Sequence, residues 1–427
     1  MESESITPTS GTHQQTACPV SSSNDTSVIV EIPRAPVNCN SLYETCEAAL
    51  QALQGKIQLA YSRQSQHIFN QAFDPELMEY NIRYENSQHF SPRFRTYAHD
   101  MAAQLIERYQ LRGKHIIDVG CGKGEFLTLL ADMAEGHGTG FDPSFVPDRV
   151  ADTDGITYNA LTGADPSASS NEVTTFRFGR TTFVRDYYSM RYASTPVDLM
   201  CSRHVLEHIP EPNAFLHDLR QIIGNRYHTA LFVEVPNAGY MVRNMAIWDI
   251  IYEHCSYYSV GSLARVLHTN GFEVQRVNEV FGEQFLAIEA LPQVSTTSAE
   301  TPTWDGAATM DREVVAFAEN FQQKVDYWTE ALERSVATGK RAVVWGAGSK
   351  GVMFLNTMRV PDAVDYIVDI NPRKHGMFVA GAGQKIVPAD FLREYQPDTV
   401  IIMNAIYVDE IRQQLDQIGV KAECVAA

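Results

Sequence analysis

Two stretches, in each of which an apolar run leads into glycines and then a helical pattern, constrain the fold most. The first is HIIDVGCGKGEF at 115–126, and the second is AVVWGAGSKG at 342–351. Each stretch predicts a buried strand, a tight turn and a helix whose N-terminal amides could face a ligand. Because alternating apolar runs and helical stretches follow both, we predict two α/β units with mostly parallel sheets.

Length and charge limit the class of protein. The 427 residues predict more than one domain, and a net charge of −18 argues against a nucleic-acid partner. No apolar run approaches the ~20 residues that cross a bilayer, and the first residues do not resemble a signal peptide. Seven scattered cysteines indicate a reducing compartment. We therefore expect a cytoplasmic monomer or dimer that acts on a small molecule, without a membrane partner.

Changes in composition and pattern predict five segments. They are a disordered tail (1–25), a small N-terminal domain (26–97), a first α/β domain (98–292), a linker with a helix (293–340) and a second α/β domain (341–427).

The first glycine turn resembles that of class I S-adenosylmethionine methyltransferases, because it reads D-x-G-x-G-x-G from Asp118. Asp142 follows the next strand and would hold the ribose hydroxyls, and Asp186 follows a third strand and would face the adenine amino group. LEHI, at 206–209, resembles the motif after the fourth strand of that fold. The resemblance implies S-adenosylmethionine as cofactor. It gives as cofactor-binding residues Asp118, Gly120, Gly122, Gly124, Asp142, Asp186 and His204.

A wider resemblance covers nearly the whole chain. FDPELMEYNIRYENSQHFSPRF before the first fold, DIIYEHCSYYS after its fifth strand and VVWGAGSKG in the last domain are similar to nucleotide-sugar C-methyltransferases. That family joins a zinc-ribbon-like domain, a class I methyltransferase core with a Rossmann-like parallel sheet, and a C-terminal Rossmann-like α/β domain. Its members methylate a carbon next to the ketone of a deoxysugar nucleotide in natural-product biosynthesis.

The resemblance also implies catalytic residues. His254 is the expected general base, since carbon becomes a nucleophile only after an α-proton is removed, and histidine titrates near operating pH. Glu253 could fix its tautomer or hold a sugar hydroxyl. Tyr84, His89 or His208 could donate to the enolate oxygen. The predicted catalytic set is thus His254, Glu253, His208 and Tyr84.

Substrate contacts are expected from the same family. The sugar enzymes would have a tyrosine two residues before the glutamate, but this chain has Ile251 there and Tyr252 next to it. Lys350, at a helix start, suits a phosphate. The predicted substrate-binding residues are His89, Tyr252, Tyr257, Gly346, Ser349, Lys350, Asn371, Asn404 and Tyr407.

Two alternative functions remain open. A methyltransferase of this organisation could act on carbon, nitrogen or oxygen of a non-sugar specialised metabolite. The second turn also reads G-x-G-x-x-G at Gly346, Gly348 and Gly351, with Asp369 ending the next strand. This is a dinucleotide fingerprint, so a fused NAD-dependent oxidoreductase is the alternative from another class.

The zinc-ribbon positions depart from the family pattern. Where the family has two C-x-x-C pairs, this chain has Cys18 and Ser21, then Ser62 and Ser65. A serine hydroxyl is not ionised near neutral pH and is not a usual zinc ligand. We therefore predict a degenerate ribbon without metal, held by packing of Tyr61, Ile68 and Phe69.

Overall fold

The structure is a computed structural model that describes residues 16–78, 84–147, 173–294 and 306–427. Its strands form three sheets, of four, eight and seven strands. Among the described residues, no helix combines the length and apolar character that a membrane crossing requires.

The small N-terminal sheet is antiparallel and has the order β1–β3–β4–β11. Its last strand, β11, comes from residues 256–257, a segment between two strands of the central sheet. The elements up to residue 78, with that strand, are β1 (Thr26–Pro36), β2 (Leu42–Tyr43), α1 (Cys46–Leu50), β3 (Gln54–Ser62), β4 (His67–Asn70) and β11 (Ser256–Tyr257).

The predicted disordered tail is too long at its C-terminal end. Cys18 N donates to Ser23 O at 2.9 Å, and Ser22 N donates to Cys18 O at 2.8 Å, which closes a turn. Asn213 of the next domain donates to Pro19 O at 2.7 Å. These contacts and the burial of Cys18 order this part of the segment. Residues 1–15 lie outside the described part of the chain.

The four degenerate ribbon positions lie at one end of the β3–β4 hairpin. Cys18 Sγ is 3.2 Å from Ser65 Oγ, and Ser21 Oγ is 3.4 Å from the same oxygen. Ser62, the last residue of β3, is fully buried. One thiol and two hydroxyls are therefore in contact at this end of the hairpin. Tyr61, Ile68 and Phe69, which we expected to hold it, are all buried.

The central sheet has the order β12–β13–β10–β9–β5–β6–β8–β7. Its five middle strands, from β10 to β8, are parallel, and both edges are antiparallel. Its elements and flanking helices are α2 (Pro92–Tyr109), β5 (His115–Val119), α3 (Glu125–Met133), β6 (His137–Phe141), β7 (Thr174–Phe178), β8 (Thr181–Arg185), β9 (Leu199–Arg203), α4 (Pro212–Ile223), β10 (Ala230–Pro236), α5 (Ala238–Arg243), α6 (Val260–Thr269), β12 (Phe272–Val280) and β13 (Phe285–Pro292).

The third sheet has the order β19–β18–β14–β15–β17–β16–β2, and β14 pairs in parallel with both neighbours. Its outermost strand, β2, belongs to the N-terminal segment. The remaining elements are α7 (Ala307–Ala337), β14 (Ala342–Trp345), α8 (Ser349–Thr357), β15 (Val364–Val368), β16 (Phe378–Val379), β17 (Lys385–Val387), α9 (Leu392–Tyr395), β18 (Thr399–Ile402), α10 (Val408–Ile418) and β19 (Glu423–Ala426). The two predicted glycine turns and the α/β class are confirmed.

We predict that the ribbon end of the hairpin holds no metal, because a single thiol cannot replace four thiolates. Zinc bound there would depend on Cys18. The test is the zinc content of purified wild-type protein and of Cys18→Ser, measured by plasma mass spectrometry, and we expect equal values. Zinc that is present in the wild type and absent from Cys18→Ser would contradict the prediction.

Candidate functional site

One large cavity, of about 900 Å³, is lined by residues of both glycine turns. The first turn contributes Gly120 and Gly122, and the second contributes Gly346 and Gly348. Both turns follow the carboxyl ends of parallel strands, which is the edge of an α/β sheet where ligands usually bind. The two sheets therefore present these edges to the same cavity.

Two glycines of the first turn are required by their backbone conformation and by close packing. Gly120 has φ +72°, and a Cβ there would lie 2.4 Å from Val205 Cγ2. Gly124 has φ +78°, and its Cβ would lie 2.2 Å from the Phe183 ring. Gly120 lines the cavity, whereas Gly124 does not. Gly124, which we predicted to contact the cofactor, instead lets the start of α3 pack closely against Phe183.

Three predicted cofactor carboxylates line the cavity at the ends of β5, β6 and β8. Asp142 accepts hydrogen bonds from Gly122 N at 2.9 Å and Ser144 N at 2.8 Å. Asp186 accepts one from Tyr187 N at 2.8 Å. These backbone contacts fix the direction of both carboxylates.

Asp118 is the most buried of the three, with 4% of its surface exposed. Burial raises its pKa to about 7, Arg203 opposes the rise, and Asp142 adds to it. A cationic ligand beside Asp118 would favour the ionised carboxylate. S-adenosylmethionine carries both a sulfonium and an ammonium group, so it meets this requirement.

His204 lines the cavity beside these residues, but its ring contacts two buried carboxylates. His204 Nε2 lies 2.9 Å from Glu234 Oε1, and Nδ1 lies 3.5 Å from Glu207 Oε1. Burial disfavours its charge, yet these carboxylates outweigh burial and raise the pKa of His204 to about 9. It is therefore an imidazolium near neutral pH. The sequence analysis did not identify Glu234 or Glu207.

His208 and His254 both line the cavity, with ring centroids 4.8 Å apart in an edge-to-face arrangement. His208 Nδ1 is 2.9 Å from Glu253 O. Burial, followed by the positive charge of His208 and His204, lowers the pKa of His254 well below its usual value. His254 is thus neutral near pH 7, which is the form a proton acceptor needs.

The predicted role of Glu253 differs from what the structure shows. Its side chain does not line the cavity, and it accepts hydrogen bonds from Cys39 N at 2.6 Å and Tyr84 OH at 2.5 Å. Burial raises the pKa of Glu253, and the nearby charge of His208 opposes that rise. Glu253 therefore positions Tyr84, which does line the cavity, and does not contact the substrate space.

Two predicted substrate tyrosines also point elsewhere. Tyr252 OH accepts a hydrogen bond from Asp74 N at 2.9 Å, and Tyr257 OH donates to Ile251 O at 2.9 Å. Both rings are buried and neither lines the cavity, so the prediction for Tyr252 and Tyr257 is corrected. Ile251, at the position where the family would have a tyrosine, does line it.

The second α/β unit forms the opposite wall. Lys350 Nζ lies 2.7 Å from Asp249 Oδ1, and Asn404 exchanges hydrogen bonds with Gln284. Asn371 Nδ2 donates to Glu85 Oε1 at 3.1 Å. These side chains join the C-terminal unit to the preceding parts of the chain as well as lining the cavity. The predicted substrate residues on the cavity surface are His89, Gly346, Ser349, Lys350, Asn371, Asn404 and Tyr407.

The G-x-G-x-x-G turn has a local hydrogen-bond pattern that disfavours a dinucleotide. Asp369, the residue that would hold a ribose, accepts hydrogen bonds from Ala347 N at 2.9 Å, Asn371 N at 2.8 Å and Lys374 Nζ at 3.2 Å. Lys374 Nζ also donates to Ala347 O at 2.9 Å. Because its own domain satisfies this carboxylate, the turn is less suited to NAD than its spacing suggested.

Comparison with known protein families gives two matches. Residues 93–277 match the family described as "Methyltransferase domain", and residues 304–424 match "C-methyltransferase C-terminal domain". The order agrees with the two α/β units. These matches support a methyltransferase core with S-adenosylmethionine as its cofactor, joined to a C-terminal domain found in C-methyltransferases.

A curated relative is the C-methyltransferase NovU of Streptomyces niveus, 25% identical over 269 residues. The match covers 59% of this chain and 62% of that protein's length.

Among solved structures, magnesium protoporphyrin IX methyltransferase (ChlM) of Synechocystis PCC 6803 is 16% identical, with a TM-score of 0.32 over 50% of this chain and 91% of that chain. CalO1, a methyltransferase in calicheamicin biosynthesis, is 17% identical, with a TM-score of 0.30 over 45% and 54%.

We predict that binding of S-adenosylmethionine releases protons near pH 7, because the cationic cofactor lowers the raised pKa of Asp118. Affinity should fall about tenfold per pH unit once the pH is well below 7. Isothermal titration calorimetry in two buffers of different ionisation enthalpy measures the proton release. Asp118→Asn should abolish that release. A pH-independent affinity of the wild type between pH 5.5 and 8 would contradict the assignment.

Proposed function

We propose that the protein transfers the methyl group of S-adenosylmethionine to a carbon next to the ketone of a deoxysugar nucleotide, in natural-product biosynthesis. The observation that carries this proposal is the shared cavity: the adenosylmethionine-type turn, His254 and the second glycine turn all line it. The C-methyltransferase C-terminal domain match and the similarity to NovU favour carbon as the acceptor.

The nucleotide end of the acceptor would bind against the second glycine turn. Gly346, Gly348 and Ser349 line the cavity at the N-terminus of α8, where backbone N–H groups and the helix dipole favour an anion. The Lys350 ammonium lies at the same wall, and its side chain is 27% exposed. A diphosphate would compete with Asp249 for that ammonium.

The sugar end would then lie between the two turns, beside His254. Neutral His254 would remove the α-proton, and the resulting enolate carbon would attack the methyl carbon of the sulfonium. The S–CH₃ bond breaks as the new C–C bond forms, which leaves S-adenosylhomocysteine and the methylated ketone. Holding the acceptor carbon in line with that bond would supply much of the rate.

The developing enolate oxygen needs donors. The Tyr84 hydroxyl donates its hydrogen bond to Glu253 Oε2, so it is not directed at the enolate oxygen as we first expected. His89 and His208 remain as candidate donors on the cavity wall.

We predict a mass gain of one methyl group on a 4-keto-deoxysugar nucleotide incubated with the full chain and S-adenosylmethionine. The panel should include the corresponding free sugars and several non-sugar ketones, read by mass spectrometry with methyl-labelled cofactor. Because the diphosphate supplies binding energy, the nucleotide form should have the higher kcat/KM. Methylation of the non-sugar ketones alone would support the alternative acceptor class and reject the sugar proposal.

We predict that His254→Gln slows methyl transfer by about 10²- to 10⁴-fold, because it removes the proton acceptor. The affinity for S-adenosylmethionine should be unchanged. Wild-type protein with S-adenosylhomocysteine should exchange the α-proton of the substrate with deuterium from solvent, and His254→Gln should not. His228→Gln, an exposed histidine, is the matched control. Full methylation by His254→Gln would show that another group is the base.

A further inference from the structure

A buried ion pair lies at the carboxyl ends of β9 and β10. Arg203 and Glu234 are register partners in these parallel strands, so their side chains project from the same face of the sheet. Arg203 Nε and Nη2 donate to Glu234 Oε1 at 3.2 and 2.8 Å. The guanidinium carbon lies 4.1 Å from the centre of the Phe126 ring in α3. The protein thus fixes one edge and one face of the guanidinium.

Glu234 is a reliable anchor for Arg203 because it stays ionised. It is fully buried, and burial opposes its charge. Arg203, followed by His204 and the Tyr97 hydroxyl, outweighs burial and lowers the pKa of Glu234 to about 2. Tyr97 donates to the second carboxylate oxygen, Oε2. Glu234 therefore does not rely on Arg203 alone and leaves part of the guanidinium available.

Arg203 has more hydrogen-bond donors than its protein partners use. A guanidinium carries five N–H groups. Two donate to Glu234, and the Tyr97 hydroxyl takes at most one more. Across the described ranges these are its hydrogen-bond partners, which leaves two N–H groups for a ligand. Arg203 lines the cavity, although only 9% of its side chain is exposed. A buried cation with unused donors at a cavity wall suits an anionic ligand group.

The order of the strands places Arg203 where one end of the cofactor is expected. Strands β8, β6, β5 and β9 are neighbours in this order, with Asp186, Asp142, Asp118 and Arg203 at or just after their carboxyl ends. Asp186 and Asp142 are the expected partners of adenine and ribose. The rest of an extended S-adenosylmethionine would then continue towards β5 and β9. Three strand spacings, about 14 Å, separate β8 from β9.

The methionine end of the cofactor carries an ammonium group and a carboxylate, and this wall offers a partner for each. We propose that Arg203 binds the methionine carboxylate of S-adenosylmethionine, while Asp118 faces the ammonium group. A planar guanidinium can donate two parallel hydrogen bonds to a carboxylate. Arg203 is then the residue that distinguishes S-adenosylmethionine from its decarboxylated form, which keeps the sulfonium and the ammonium group.

Two other cationic groups on this wall are less suited to the carboxylate. The Lys123 ammonium pairs with the buried Glu85, and an ammonium has no planar fork of N–H groups. Both ring nitrogens of His204 face carboxylates, at 2.9 and 3.5 Å. The guanidinium of Arg203 is therefore the group that fits a bidentate contact.

The test compares two ligands on the full chain without any acceptor, so its result does not depend on the proposed C-methylation. Isothermal titration calorimetry measures the dissociation constants of S-adenosylmethionine and decarboxylated S-adenosylmethionine. Wild type should bind the decarboxylated compound about 10- to 100-fold more weakly, because charge-assisted hydrogen bonds are lost. A wild-type ratio of about one would overturn the proposal.

A variant then assigns the discrimination to one residue. Arg203→Gln should bring the ratio of the two dissociation constants to about one, chiefly by weakening binding of S-adenosylmethionine. The ratio is the readout, since a general disturbance of the cavity would weaken both ligands. Arg177→Gln, at an exposed position on the edge strand β7, is the matched control and should keep the wild-type ratio. A ratio that Arg203→Gln leaves unchanged would show that another group binds the carboxylate.

A measurement on wild-type protein is also needed, because Arg203→Gln removes a cation from the buried Glu234. A crystal structure of the wild type with S-adenosylhomocysteine should place a guanidinium nitrogen of Arg203 about 2.7–3.2 Å from a carboxylate oxygen of the ligand. A ligand carboxylate held by other groups would overturn the assignment. Either result leaves the carbon acceptor of the proposed function to its own test.

Discussion

The buried carboxylate of Glu85 connects the first glycine turn to the C-terminal unit. Glu85 is 1% exposed and accepts hydrogen bonds from Lys123, inside the first turn, and from Asn371 Nδ2 of the C-terminal unit at 3.1 Å. Arg373 Nη1 lies 3.8 Å from its other oxygen. Removing one partner of a buried ion pair lowers the free energy of unfolding by about 3–5 kcal/mol. We therefore expect this contact to fix the relative position of the two sheet edges that line the cavity. The shape of the shared cavity depends on that relative position.

The sequence predicted best those features that local chemistry determines. The strand before the first turn was expected at 115–119 and is β5, because an apolar run before glycines has few other structures available. Asp118, Asp142 and Asp186 line the cavity, since a residue that ends a parallel strand lies at the carboxyl edge of the sheet.

Side-chain direction in irregular segments was not predictable in the same way. Residues 249–258 contain several polar and aromatic side chains, and periodicity does not say which of them face the cavity. His254 does, while Glu253, Tyr252 and Tyr257 turn towards buried backbone and the N-terminal domain. Glu234 was missed because its partner His204 lies 30 positions away, and one sequence does not show that proximity.

Two short edge strands pair with a sheet outside their own unit of the chain. β2 completes the C-terminal sheet from the N-terminal segment, and β11 completes the N-terminal sheet from the central one. Neither small strand could pair if its donor domain were cut away, and each loss would leave a bare sheet edge open to association with other chains. The three units therefore cannot be recombined as independent modules. A chimera that imports a foreign C-terminal domain would also have to import a compatible 42–43 segment.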